Sequence, residues 1–145
     1  MTRLYLIADG IGPKGAQALA SSPHLARLTV LKLDNNDIGD EGARALAESP
    51  YLTHLTDLYL EQNSIGPEGA RALASSPYLV RLFELGLHGN LIRTAGARAL
   101  ASSPHLPRLS SVCVDERDVS QAALVALQER FDFVTTDFCG FGLFH

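Results

Sequence analysis

Apolar residues recur along the chain at fixed offsets, and the whole pattern repeats every 27 residues. Segments beginning at Leu4, Leu31, Leu58, Leu85 and Val112 align without insertion, and the second and third are identical at 17 of 27 positions. Such self-similarity marks a stack of like supersecondary units. Within each unit the pairs Leu4/Leu6, Leu31/Leu33, Leu58/Leu60 and Leu85/Leu87 alternate with other residues. Alternation places both leucines of a pair on one face of a short strand. Ile11, Ile38, Ile65 and Ile92 follow where the chain turns over the core. Next comes Gly-Ala-x-Ala-Leu-Ala, a short helix whose narrow apolar stripe (Ala43, Leu46, Ala47 in the second unit) lets neighbouring helices approach closely. Pro23, Pro50, Pro77 and Pro104 stop that helix, and Leu25 and Leu28 with their equivalents return the chain to the next strand.

One polar column interrupts this scheme. Asn36, Asn63 and Asn90 stand three residues beyond the second strand leucine. A carboxamide carries both donors and an acceptor, so stacked asparagines can satisfy loop backbone groups in their own and neighbouring units. Asp9 and Arg117 break the column in the first and last units, where a neighbour is missing.

The run Leu28-x-x-Leu31-x-Leu33-x-x-Asn36-x-Ile38 matches the leucine-rich-repeat signature at each fixed position and recurs in the next two units. Its continuation, Ile-Gly-x-x-Gly-Ala-x-Ala-Leu-Ala, resembles the ribonuclease-inhibitor-like subclass, and the Ser-Pro-x-Leu-x-x-Leu link is similar to that of bacterial members. The resemblance covers residues 4 to about 138. It implies an α/β solenoid with a curved parallel sheet on the concave face, helices on the convex face, and protein binding through the concave face. Five 27-residue units are expected, at 4–30, 31–57, 58–84, 85–111 and a closing unit 112–138, within one domain of residues 1–138. Residues 139–145 form a C-terminal tail, with Phe141 on the column of Leu6. The closing unit departs from the pattern, with Arg117 for Asn, Ala123 for Gly and Phe131 for Pro, while Val112, Val114, Val119, Leu127 and Phe133 are expected in the core. Its more polar helix suits an end unit.

If the strand leucines point inward, the residues between and beside them face a partner. They include Lys32, Asp34, Asp57, Tyr59, Glu61, Glu84 and His88. The carboxylates among them favour a basic partner, with Tyr59 as an anchor, although a solvated sheet face also carries charge. Two basic columns lie elsewhere. Arg44, Arg71 and Arg98 fall on the helices, and Arg27, His54, Arg81 and Arg108 fall just before each strand; both read first as surface charge copied with the repeat, the second also as a possible binding edge. The first strand starts close to Met1, leaving Leu4, Leu6, Ile11 and Leu19 without a cap, so self-association through the N-terminal edge is expected.

Composition narrows the functional classes. A formal charge of −4 argues against nucleic acid or an anionic membrane as partner. Asp9 ends the first apolar stretch too early for a signal peptide, and no run reaches the roughly 18 apolar residues of a membrane span. A cytoplasmic location is expected. No two of the five histidines have metal-ligand spacing. Cys113 falls on a concave column and Cys139 on a core column, so the two are not expected to pair, and Asp115 and Glu116 leave the Cys113 thiol unactivated. No phosphate-binding loop accompanies Gly140-Phe-Gly142, and no cofactor is expected. The sequence therefore reads as a non-catalytic protein-interaction module. Its rivals are a regulator of an enzyme such as a small GTPase, since the subclass resembles Ran GTPase-activating proteins, and a truncated repeat fragment without a selected role.

Overall fold

The computed structural model of the protein describes residues 2–136. Strand and helix alternate along it: β1 (Arg3–Tyr5), α1 (Gly12–Ala20), β2 (Val30–Lys32), α2 (Gly39–Ala47), β3 (Asp57–Tyr59), α3 (Pro67–Ala74), β4 (Glu84–Gly86), α4 (Arg93–Ser102), β5 (Ser111–Cys113), α5 (Gln121–Arg130) and β6 (Phe133–Thr135). The six strands form one parallel sheet in chain order. Leu4 pairs with Leu31, Leu31 with Leu58, Leu58 with Leu85 and Leu85 with Val112, which is the 27-residue register read from the sequence. The helices begin three or four residues earlier than the alanine-rich stretch alone indicates. Ile11, Ile38 and Ile92 already have right-handed helical dihedrals, and prolines at the first turns of α1 and α3 need no N–H there.

The strand leucines, the isoleucine column and the helix alanines close a single core between the sheet and the helices. Small residues set the helix spacing. A Cβ added to Gly42, Gly69 or Gly96 would press against Ala16, Ala43 or Ala70 of the preceding helix. Strands repeat at about 4.8 Å whereas packed helices stay about 8–10 Å apart, so the stack bends with its strands on the inner side.

Three side-chain ladders stitch the units together. Each asparagine serves the unit before it. Asn63 Oδ1 accepts from the backbone N–H groups of Asn36 (2.9 Å) and Ile38 (3.4 Å), and its Nδ2 donates to Leu33 O at 2.9 Å. Asn90 does the same for Asn63, Ile65 and Leu60, and Asn36 for Asp9, Ile11 and Leu6. The serines ahead of the prolines form the second ladder: Ser49 Oγ donates to Ala20 O and Ser76 Oγ to Ala47 O, both at 2.6 Å, and Ser103 Oγ donates to Ala74 O. Thr29 and Thr56 hydroxyls begin a third, donating to the carbonyls of Thr2 and Thr29.

The last described unit is shorter. Val112 pairs with Val134, 22 residues on. Phe133, expected in the core, is therefore 61% exposed, because it falls opposite Ser111 on the outward face of the sheet. Phe131 is buried instead, three residues ahead of Val134 as Leu109 is three ahead of Val112. Arg130, in the serine column, reaches Leu100 O (3.0 Å) and Ala101 O (3.1 Å), carrying the ladder one step further with a guanidinium. Leu4, Leu6, Ile11 and Leu19 are half-buried against the core. The expectations for Cys139 and Phe141 fall outside the described residues.

Since the asparagines act toward the preceding unit, Asn63→Ala strips partners from buried backbone of two units and should lower stability by about 1–3 kcal/mol. Asp9 has no such duty, and Asp9→Ala should change stability far less. Urea melts of the two variants check this, and equal losses would count against the ladder.

Candidate interaction face

The outward residues of β2, β3 and β4 meet at the middle of the sheet, and the structure brings most of the expected site residues together there. Lys32 Nζ lies 2.9 Å from Asp34 Oδ2 and 4.6 Å from the centroid of the Tyr59 ring. The Tyr59 hydroxyl is 3.1 Å from Asp57 Oδ2 and in short contact with Glu84 Oε2, so one phenolic proton bridges two carboxylates. Burial, the Glu84 hydrogen bond and the two nearby negative charges all push the Tyr59 pKa upward, keeping the phenol neutral.

Expected contact residues differ in what they leave open. Lys32, Asp34, Tyr59 and Glu61 are buried, while Asp57, Glu84 and His88 are half-buried. Asp34 and Glu61 have work within the fold. Asp34 Oδ1 accepts from the Glu61 backbone N–H at 3.0 Å, and Glu61 Oε2 accepts from the His88 N–H at 3.1 Å, so this column too binds each unit to the next. Gly86 provides the room, since a Cβ at that position would collide with the Glu61 carboxyl group. Alternation along the strand told which way these side chains point. It did not tell that a carboxylate just past one strand lies over a glycine of the next, although Gly86 in a column of Tyr5, Lys32, Tyr59 and Cys113 was the visible sign.

Two further features were missed. Asp40 Oδ1 accepts from Gly66 N (2.7 Å) and Gly69 N (2.9 Å), capping α3 from the neighbouring unit. Thr94 Oγ1 accepts from Ser120 N at 2.8 Å in the same way ahead of α5. The signal was a polar residue at these two positions where the first and third units carry Pro13 and Pro67. Arg117, in the asparagine column, instead turns onto Asp115 (Nε–Oδ1 2.9 Å, Nη2–Oδ2 2.7 Å), and this hydrogen bonding holds the Asp115 pKa below its ordinary value. Cys113 is disulfide-bonded, so it carries no free thiol, which corrects the expectation of an unactivated thiol there.

The family model described as Leucine Rich repeat matches residues 24–47 and 51–74, each running from a helix-to-strand turn through the next helix. No curated protein matches the chain. These matches and the parallel sheet with its alternating helices make the fold a leucine-rich-repeat α/β solenoid. Such repeats generally mediate protein–protein interaction and are typically non-catalytic. Among the described residues, no helix is long and apolar enough to cross a membrane.

Burial, helped by the neighbouring Asp34 charge, raises the Glu61 pKa from its ordinary 4.5 to about 8. The unfolded carboxyl ionises near 4.5 while the folded one keeps its proton, so stability is full below pH 4.5 and is lost as pH rises through about 8. Glu61→Gln keeps an acceptor for His88 N–H and cannot ionise. Its melting temperature should exceed that of the unmodified chain above pH 8, with the gap closing toward pH 5. Parallel melting curves across that range would reject the assignment.

Proposed function

We propose that the chain is a non-catalytic protein-interaction module that docks a basic segment of a partner protein on its concave face. The observation that carries this reading is the charge at the centre of that face. Asp57 and Glu84 meet at the Tyr59 hydroxyl, while the one nearby ammonium, Lys32, is already held by Asp34 and the Tyr59 ring. The half-buried carboxylates of Asp57 and Glu84 share the Tyr59 proton, and Asp57 also accepts from the Thr56 hydroxyl at 2.8 Å; these donors are neutral, so an incoming guanidinium or ammonium gains two charged acceptors. Buried Lys32, Asp34, Tyr59 and Glu61 fix the shape of the site, and Asp57, Glu84 and His88 form its accessible part. An α-helix after each of β1 to β5 supports the ribonuclease-inhibitor-like subclass. Half-buried Leu4, Leu6, Ile11 and Leu19 support self-association beside β1, which sedimentation at rising concentration tests; an unchanged monomer removes that part of the proposal.

The test compares the immobilised chain with two variants in capture from a lysate of its source cells. Asp57→Lys with Glu84→Lys should weaken retention of the captured partner by about tenfold or more. Arg71→Glu, exposed on α3 and paired with Glu68, should leave it unchanged. Loss in the helix variant alone would move the site to the convex side.

A further inference from the structure

The turns that lead from each helix to the next strand form one rim of the solenoid, and along it run Arg27, His54, Arg81 and Arg108, all exposed. Two residues further on, the backbone is bonded from unit to unit: Thr56 N–H to Thr29 O and Phe83 N–H to Thr56 O at 2.8 Å, and Ser110 N–H to Phe83 O at 2.9 Å. Successive members of the column therefore spring from backbones about 5 Å apart, and all four lie within about 15 Å. Ion pairs among the described residues join Lys32 to Asp34, Arg71 to Glu68 and Arg117 to Asp115, and none of them includes a member of this row. Three guanidinium groups and an imidazole thus share a narrow strip. The carboxylates of Asp57 and Asp132 are bonded to the Thr56 and Ser110 hydroxyls beside it and form no ion pair with these groups, which leaves the cations open to an acidic partner.

A second, independent observation falls on the same strip. Although the second and third units are so nearly the same, three neighbouring rim positions differ: Thr53, His54 and Thr56 give way to Val80, Arg81 and Phe83. Thr29 and Thr56 each donate a hydroxyl to the preceding unit's carbonyl, at 2.9 and 3.2 Å. Phe83 has no hydroxyl to donate and leaves its ring 51% exposed, beside Val80 at 42%. The third unit thus lacks a ladder bond and exposes two apolar side chains at positions flanking Arg81 in the chain, and aromatic and arginine residues are enriched at the centres of protein interfaces.

We propose that this rim, centred on Val80, Arg81 and Phe83, is a second docking surface, which takes an acidic protein segment carrying an apolar side chain. The segment's carboxylates meet Arg81 and Arg108, and its apolar residue packs on Phe83 and Val80. A protein segment fits better than nucleic acid, because Asp57 and Glu84 begin the adjoining strands and a continuous polyanion would meet them.

The test uses a fluorescein-labelled peptide of alternating glutamate and leucine, titrated by anisotropy. Val80→Thr, Arg81→His and Phe83→Thr together give the third unit the rim of the second, so the triple variant introduces only side chains the fold already accepts there. It should bind the peptide about tenfold or more weakly. Its melting temperature should be unchanged or higher, since the new hydroxyl can donate to Thr56 O. Arg108→Glu should also weaken binding, Arg71→Glu should not, and Asp57→Lys with Glu84→Lys should retain it, which separates this surface from the concave one. The proposal is overturned if the peptide does not bind saturably or if the triple variant binds as well as the unmodified chain. It is equally overturned if the concave variant alone loses binding, or if a single-stranded oligonucleotide or phosphatidylserine vesicles bind the rim in preference to the peptide.

Discussion

Backbone hydrogen bonding across unit boundaries is the constraint on which this solenoid depends. Each turn from strand to helix buries N–H and C=O groups that its own unit cannot satisfy, and unpaired polar groups in such places are costly. The asparagine, serine and threonine columns supply partners to the preceding unit at one-unit intervals, and the asparagines bond carbonyls of their own unit as well. The same loops place non-glycine residues such as Asn35, Asp37, Gln62 and Ser64 in the left-handed region, each disfavoured for an L side chain. Those conformations hold because the ladders fix the carbonyls and amides on either side of them.

The ladders also explain why so much of the concave face is built into the fold. Asp34 and Glu61 look like contact residues by strand alternation, yet each accepts a backbone N–H from the unit that follows. Their burial leaves Asp57 and Glu84, which share the Tyr59 hydroxyl, as the carboxylates still able to meet a partner. Scaffold and recognition surface therefore overlap in one set of side chains.

Much of this was legible because repetition turns sequence into geometry. The 27-residue period gave the strand register, the core columns and the asparagine ladder without reference to any particular residue's surroundings. What escaped was diagonal or singular. Glu61 over Gly86 and Asp40 capping α3 both join different columns of adjacent units, which column-by-column reading keeps apart. The serine column was visible, but a serine before a proline reads equally well as a plain helix stop. The closing unit was misread where the period itself fails. Phe133 kept its place by counting and lost it in space, because the five residues missing before β6 moved Phe131 into the core.

The direction of the ladders has a consequence for how the chain is made. Since each unit is completed by the one that follows it, a growing chain always holds a last unit whose loop amides have no partners. At ribosomal rates of about 5–20 residues per second, the missing 27 residues take roughly 1–5 s to emerge. Folding of this solenoid should thus advance as a front trailing synthesis by one unit, and Arg130 and Phe131 take over from serine and leucine in completing the fourth unit.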